Sequence, residues 1–401
     1  MFSEIHRKVF LLSLAIFALP VFLGIEQCFA ATSLPSKILT TDIKKHYDQN
    51  KFKILIVPGH DGADYGTNFY GIKEADLNLK LATKIFQLLN KNPHFQAYIS
   101  RDENGYSQFL KNYFSEQKDL IENFRQDIKA LFSQGFYNFK EKEGVPHNEV
   151  SDRIANKLYG MNKWANDNAV DLVIHVHFND YAERRYHSSG QYTGFSIYIP
   201  EGQLPNHGAS KDLAGPVFNS LKSILAVSDL DIENAGIVED QKLIAVGANA
   251  SLSSAAMLIE YGYIYEPHFI KKQTQDSFFD EMALLTYSGL VKYFEPQAKI
   301  NKYDSAVLPY KWKNKLTTGM KNNKDVLAMQ IALAKEGVYP PPSKDFHDCP
   351  ISGTFLNCTK ESVSLFQKKY SDDILKKTAN IMSMGIADAL TINKLNFIYA
   401  K

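Results

Sequence analysis

Residues 53–62 read KILIVPGHDG, an apolar run followed at once by turn-forming residues. Such a run, bounded by Pro and Gly, predicts a buried strand over 53–57 that ends in a turn carrying His60. Apolar residues recur at helical spacing over 75–89, which predicts that a helix follows the turn. A strand, a turn and a helix therefore open the folded part of the chain.

The same alternation continues along the sequence. Another helix is predicted to end near residue 168, and a helix over 278–294 closes this part of the chain. Four more short apolar runs predict strands: residues 96–100, 171–177, 194–199 and 256–260. Strands that alternate with helices indicate an α/β fold, here a twisted, mostly parallel or mixed sheet flanked by helices.

The stretch 106–150 differs from its surroundings. It combines many charges with apolar residues at helical spacing, among them Ile121, Phe124 and Ile128. This pattern predicts a long amphipathic helical insertion. Two roles stay open for it: a lid or regulatory helix over a site, or a structural decoration on the outer face.

Composition limits the function. The chain has 401 residues, of which 45% are hydrophobic, enough for a packed core and for two or three domains. Charged residues make up 22%, and the formal net charge is +1. Since no strongly basic patch stands out, nucleic acid is not an expected partner.

The first thirty residues read as an export signal. Arg7 and Lys8 precede an apolar run over 10–25, and residues 28–30 offer a cleavage site between small residues. We therefore expect a signal peptide over 1–30 and an exported protein, in the periplasm, cell wall or extracellular space. The membrane is then involved only through this signal. The alternative is an uncleaved membrane anchor.

Cleavage would leave two cysteines, Cys349 and Cys358. An even pair in an oxidising compartment favours a disulfide, and two unpaired buried thiols are the alternative. The Lys-, Asn- and Pro-rich stretch 296–322 is predicted to be a linker. Residues 323–395 form a small all-α domain in this interpretation.

Four polar side chains mark the ends of predicted elements: His60, His177 and Glu260 end strands, and Glu74 begins the helix that follows the first strand. Sites in α/β sheets form outside the carboxyl ends of the strands. Two His and one carboxylate make a known catalytic zinc set that leaves a position open for water, and a further carboxylate could shuttle protons. From spacing alone this is suggestive, because each residue by itself also has an ordinary structural explanation.

Five segments in order resemble motifs of one family. They are residues 57–66, 73–79, 100–102, 165–179 and 260–264. Together they resemble the zinc-dependent N-acetylmuramoyl-L-alanine amidases, and five ordered motifs are far more specific than any one of them. The likeness spans about residues 52–295, so we expect a catalytic domain over 51–295.

The resemblance implies roles for single residues. His60, Glu74 and His177 would bind one Zn²⁺, and Glu260 would be the general base and acid. The implied reaction is hydrolysis of the amide bond between N-acetylmuramic acid and L-alanine in peptidoglycan, by a water that the zinc activates. Peptidoglycan is then the partner, and a protein activator could be a second one.

Three departures from the family pattern concern the site. His175 stands where the family has a small residue, and it faces the same side of its strand as His177. It is therefore the alternative metal ligand, or a residue that supports the ligands or packs in the core. The usual arginine before 165–166 is missing, and Glu266 replaces a common asparagine.

The C-terminal part carries its own resemblance. Residues 323–370 are similar to the small helical peptidoglycan-binding domain attached to many wall hydrolases. The alternative for this segment is a helical cap without a ligand. Two other functions also stay open for the chain: a non-catalytic or weakly active wall-binding or regulatory protein, and a zinc peptidase that cuts within the stem peptide.

Overall fold

The computed structural model describes residues 40–133, 135, 150–181, 183–246, 253–297, 305–376 and 384–400. The signal peptide predicted over 1–30 lies outside these residues. Ten short strands are described: β1 Phe52–Pro58, β2 Asn68–Phe69, β3 Ile72–Lys73, β4 Phe95–Ile99, β5 Arg101–Asp102, β6 Gly105–Tyr106, β7 Leu172–Asn179, β8 Ser196–Pro200, β9 Ile237–Asp240 and β10 Ala255–Tyr263.

The helices accompany these strands in alternation through the first 294 residues. Those in the described ranges are α1 Thr40–Asp48, α2 Glu74–Leu89, α3 Gln108–Glu116, α4 Lys118–Ser133, α5 Asp152–Asp167, α6 His207–Leu221, α7 Pro267–Ile270, α8 Lys272–Phe294, α9 Lys324–Lys335, α10 Asn357–Lys369 and α11 Ala389–Tyr399. None of these described helices has both the length and the apolar character that a bilayer span requires.

A six-stranded mixed sheet forms the centre, in the order β4-β1-β7-β10-β8-β9. Strands β4, β1, β7 and β10 run parallel, β8 is antiparallel to β10, and β9 is parallel to β8. Parallel strands are buried on both faces, which explains why they read as continuous apolar runs. The predicted α/β class with a flanked, mostly parallel sheet is confirmed.

Helices cover both faces of the sheet. On one face, Ile54 and Ile174 share a core with residues of α2, α6 and α8. On the other face, Leu55 and Val173 pack with α3 and α5. The alternation of inward-facing residues along each strand separates these two cores. His175 and His177 have the same parity as Val173 and lie on the α5 side.

Helices α3 and α4 occupy the first part of the predicted insertion. Ile121, Ile128 and Leu131 of α4 are buried and pack with Tyr159 of α5, so α4 presents an apolar face to α5. Residues 134 and 136–149 lie outside the described ranges. Whether the insertion acts as a lid or as a decoration stays a prediction.

A buried glutamine of α9, Gln330, ties this helix to α10 and to the loop before it. Gln330 Oε1 accepts the backbone N–H groups of Ser352 and Gly353, at 3.1 and 2.9 Å. The predicted disulfide between Cys349 and Cys358 is present, with the two Cα atoms 5.7 Å apart. It closes the loop that leads into α10.

The stretch predicted to be a linker is partly packed. Leu308, Trp312 and Leu316 are buried, and the backbone of Leu316 exchanges hydrogen bonds with Ala387. Residues 298–304 of this stretch lie outside the described ranges. The boundaries proposed for the linker and for the domain over 323–395 stay predictions.

Side chains also join the C-terminal helices to the sheet domain. Lys271 Nζ donates to Thr354 Oγ1 at 2.6 Å, and Thr193 Oγ1 lies 2.7 Å from His347 Nδ1. The C-terminal segment is therefore held against the rest of the chain by direct contacts at both of these places.

Candidate active site

The four predicted site residues meet at one edge of the sheet. His60 lies in the turn after β1, Glu74 is the first residue of α2, His177 lies near the end of β7, and Glu260 lies on β10. Since these parallel strands end at the same edge, residues distant in sequence become neighbours. His60 adopts a φ of 60°, in the left-handed region that few non-glycine residues occupy.

Three of these side chains form a group that could hold a metal ion. Ligand atoms of His60, Glu74 and His177 all lie within 4.8 Å of one another. Glu74 is central: its Oε2 lies 3.2 Å from His60 Nε2, and its Oε1 lies 3.1 Å from His177 Nδ1. The structure thus brings together the three residues that the sequence singled out as ligands.

The Glu74 carboxylate is held by further donors. Asn78 Nδ2 donates to Oε1 and the backbone N–H of Thr67 donates to Oε2, each at 3.2 Å. Asn78 Nδ2 also donates to Gly59 O at 3.0 Å, which ties α2 to the turn after β1. Asn78 lies in the segment 73–79 that resembles a family motif, but the sequence did not predict that it would hold the Glu74 carboxylate.

The pKa values of Glu74, His60 and His177 depend on one another. Burial acts to raise the pKa of Glu74, but hydrogen bonds from His177 and His60 outweigh it, so this pKa is lowered. Burial acts to lower the pKa of His60, yet the hydrogen bond and charge of Glu74 raise it overall. Burial dominates for His177, whose pKa is lowered. An ionised Glu74 is therefore the fixed negative charge of the site.

Arg101 braces the turn that carries His60. Its guanidinium is buried and donates to the carbonyl oxygens of Pro58, Gly59 and Ala75, at 3.2, 2.9 and 2.8 Å. These bonds join the end of β1 to the first turn of α2, and so to both His60 and Glu74. The sequence showed Arg101 within a motif but gave no reason for it.

Two glycines leave room for the ligands. A Cβ atom at Gly59 would lie 2.2 Å from the ring of His177. One at Gly66 would lie 2.3 Å from Glu74 Oε2, and Gly66 has a φ of +69°, which favours glycine. Close approach of backbone to the ligand side chains requires glycine at both positions.

Glu260 lies beside this group. It is paired with His177 across the ladder between β10 and β7, is 5% exposed, and its Oε2 has no hydrogen-bond partner among the described residues. Burial, and then the charges of Glu74 and Glu233, raise its pKa well above the usual value. A buried carboxyl with a free oxygen beside a cation site suits proton transfer.

Glu233 was not anticipated from the sequence. It is fully buried and accepts hydrogen bonds from Asn179 Nδ2 at 3.0 Å and Tyr198 OH at 2.6 Å. Ser228 Oγ donates to its other oxygen at 2.5 Å. Glu233 lies in a loop without periodicity, so only the folded structure shows that it contacts Asn179 at the end of β7.

Two cavities meet at the site. One, of about 380 Å³, runs under α5 and is lined by apolar residues such as Ile154 and Leu258. The other, of about 740 Å³, includes the polar side chains of Asp180 and Gln191. His60, His177 and Glu260 line both cavities. The site is therefore accessible from two sides.

His175, the alternative ligand, is not part of the three-residue group. It lines the smaller cavity, is 2% exposed, and within the described ranges its Nε2 finds no partner. Burial lowers its pKa to about 3, so the ring is neutral.

Glu266, at the family's asparagine position, accepts the backbone N–H groups of Gly194 and Tyr263 at 3.0 and 2.8 Å. It therefore acts as a buried brace.

Two bacterial proteins named as N-acetylmuramoyl-L-alanine amidases are similar to this chain. The chain is 23% identical over 254 residues to a protein of Buchnera aphidicola subsp. Schizaphis graminum named as an N-acetylmuramoyl-L-alanine amidase, covering 62% of this chain and 98% of that protein. It is 21% identical over 274 residues to a Haemophilus influenzae protein named as the amidase AmiB, covering 68% of this chain and 58% of that protein.

A solved structure is also similar. The N-acetylmuramoyl-L-alanine amidase from Clostridium difficile 630 superposes with a TM-score of 0.39 at 19% identity, over 62% of this chain and 100% of that one. The sequence profile described as N-acetylmuramoyl-L-alanine amidase matches residues 54–292, more than half of the chain. The protein therefore belongs to the N-acetylmuramoyl-L-alanine amidase family.

Proposed function

We propose that this protein hydrolyses the amide bond between N-acetylmuramic acid and L-alanine in peptidoglycan. One Zn²⁺ would be held by His60, Glu74 and His177, and Glu260 would act as general base and acid. The observation that carries the proposal is the convergence of three ligand atoms within 4.8 Å, beside a buried carboxyl on the neighbouring strand.

The donor set suits zinc. Two imidazole nitrogens and one carboxylate oxygen are ligands that zinc prefers, and three protein ligands leave a position open for water or substrate. Asn78 and the backbone of Thr67 orient the Glu74 carboxylate, as partners of ligands commonly do. When bound, the ion would act as a Lewis acid, lowering the pKa of water towards about 7 and offsetting negative charge on the carbonyl oxygen.

The chain's own residues would move the protons. Glu260 takes a proton as the oxygen of water attacks the amide carbonyl carbon. It then gives that proton to the nitrogen of L-alanine as the C–N bond breaks. The products are the carboxylate of muramic acid and a peptide with a free amino terminus.

The proposal also covers where the protein acts and what it binds. Peptidoglycan lies outside the cytoplasm, so the protein would be exported by the signal at residues 1–30. The helices within 323–395 would bind peptidoglycan and keep the enzyme on its polymer. A protein activator would act on the site or on the insertion over 106–150.

Mass spectrometry of digested, purified peptidoglycan tests the reaction. We expect intact stem peptides and peptide-free glycan from the zinc-loaded protein. A chelator should stop their release and added Zn²⁺ should restore it. Fragments cut within the stem peptide would instead identify a peptidase. Binding to peptidoglycan without any cleavage would identify a non-catalytic wall-binding protein.

A further inference from the structure

Two aromatic side chains stand out beside the proposed catalytic site. Tyr70 is 63% exposed and Tyr186 is 65% exposed, although large apolar rings are usually covered. Tyr70 lies in the turn between β2 and β3, four residues before Glu74. Tyr186 lies in the segment that follows β7, nine residues after His177. Both rings thus belong to the loops that frame the site.

His187 joins the two rings into one surface. Its ring centroid lies 4.9 Å from that of Tyr70 and 4.4 Å from that of Tyr186. The hydroxyl of Tyr70 donates to His187 O at 2.8 Å. Tyr70 has a φ of 50°, which is rare for a bulky residue and turns its side chain outward. We call these three residues the aromatic platform.

Arg184 holds the platform in place from below. Its NH2 group donates to Asn68 O at 2.7 Å, in the hairpin of Tyr70, and its NH1 group donates to Tyr186 O at 2.9 Å. The guanidinium also lies 5.2 Å from the centroid of the Phe69 ring. Arg184 therefore fastens the two loops that carry the exposed rings to each other.

A series of contacts links the loops of the platform to the larger cavity. Arg184 Nε donates to Asp180 Oδ1 at 2.6 Å, and Asp180 lines that cavity. Thr67 donates its hydroxyl to Asp180 and its backbone N–H to Glu74 Oε2. One chain of contacts thus runs from the platform to the proposed zinc ligand.

We propose that the aromatic platform binds sugar rings of the glycan strand, beyond the muramic acid at which the amide is cut. This inference rests on the proposed function. Pyranose rings present polarised C–H groups on their faces, which are attracted to the negative faces of aromatic rings. Their hydroxyls suit the polar atoms of the platform itself, the ring nitrogens of His187 and the phenol oxygen of Tyr186, both of which are exposed residues. A polymer whose reactive unit lies in the larger cavity would pass, on the side of Asp180, the loops that carry these rings.

Replacement of the rings tests the platform in the full-length, zinc-loaded enzyme. We compare Tyr70→Ala, Tyr186→Ala and the double variant on two substrates: a soluble tetrasaccharide that carries stem peptides, and a single muramoyl-peptide. We expect the double variant to lose about 10-fold in kcat/KM on the tetrasaccharide, mainly through KM, with the muramoyl-peptide unaffected. Lys222→Ala is the control, because Lys222 is exposed at the end of α6 and lines neither cavity at the site.

Fluorotyrosine NMR gives a readout that needs no catalysis. The Tyr70 and Tyr186 resonances, assigned with Tyr→Phe variants, should shift when peptide-free N-acetylhexosamine oligomers are added. An inactive wild type would remove the proposed function while leaving this measurement valid. Equal losses on both substrates, or resonances that do not shift, would overturn the platform. Kinetic losses confined to stimulation by a protein activator would assign the rings to that partner and overturn it too.

Discussion

Glu260 lies directly opposite His177 in the register of the parallel strands β10 and β7. Neighbouring strands lie about 4.8 Å apart, so the backbone ladder sets the spacing between the proposed base and a proposed metal ligand. Loops can change the access to such a pair, but its separation belongs to the most buried part of the sheet.

Glu260→Gln should separate metal binding from catalysis. The amide keeps the shape of the side chain but cannot accept a proton from water. Because Glu260 is not in the ligand group, we expect a full equivalent of zinc and a loss of about 10³-fold or more in kcat. Metal analysis and initial rates on the same sample measure both. Near-normal turnover would remove Glu260 from the mechanism.

Gly66→Ala should weaken metal binding. The new Cβ would lie 2.3 Å from Glu74 Oε2, at a backbone conformation that alanine disfavours. We expect zinc affinity to fall about 10-fold or more. Competition with a chromophoric chelator measures this affinity. Gly62→Ala is the control, since a Cβ there meets nothing within 4 Å, and equal affinities for the two variants would contradict the prediction.

Arg101→Met should destabilise the fold around the site. The change removes three buried hydrogen bonds to the carbonyl oxygens of Pro58, Gly59 and Ala75, of which Gly59 O keeps its bond from Asn78. We expect a loss of about 3 kcal/mol in the free energy of unfolding, measured by urea denaturation. Arg153→Met provides the comparison, because Arg153 is exposed. A variant of Arg101 as stable as that of Arg153 would show that the brace contributes little.

Glu266→Gln should change how stability depends on pH. Burial raises the pKa of Glu266 to about 7, against 4.5 as the ordinary value. A raised folded pKa means that wild-type stability is full below about 4.5 and is lost as pH rises towards 7. The glutamine variant lacks this loss. It should gain up to about 3 kcal/mol on the wild type over this range, and urea unfolding of both proteins near pH 5 and pH 8 measures the difference.

Loss of the disulfide should affect the C-terminal helices. Cys349 and Cys358 are nine residues apart, and a loop of this length stabilises by about 2–3 kcal/mol in the chain-entropy description. The double serine variant should therefore unfold at a lower urea concentration. Its turnover of a single muramoyl-peptide should match the wild type, because neither cysteine lines the two cavities at the site.

The sequence predicts the central strands well because parallel strands have unmistakable apolar runs. His60 follows one such strand and His177 lies near the end of another, so sheet geometry alone brings these two ligands together. The residues that hold the ligands were harder to recognise. Arg101 and Asn78 act through backbone carbonyls of distant segments, and no periodicity marks such a contact.

The packed part of the predicted linker has a similar explanation. Lys, Asn and Pro dominate 296–322, which favours an exposed chain, but Trp312 and Leu316 are buried against the C-terminal helices. Glu233 and Arg184 lie in loops whose partners are set only by the tertiary structure. Composition identifies average exposure, whereas these contacts depend on single side chains.

The bonds from Lys271 to Thr354 and between Thr193 and His347 have a mechanical consequence. They hold the C-terminal helices at one distance from the edge of the sheet, instead of on a swinging tether. A polymer gripped by those helices would reach the catalytic edge at a constant offset. The distance along the polymer between the bound unit and the cleaved amide would then be fixed.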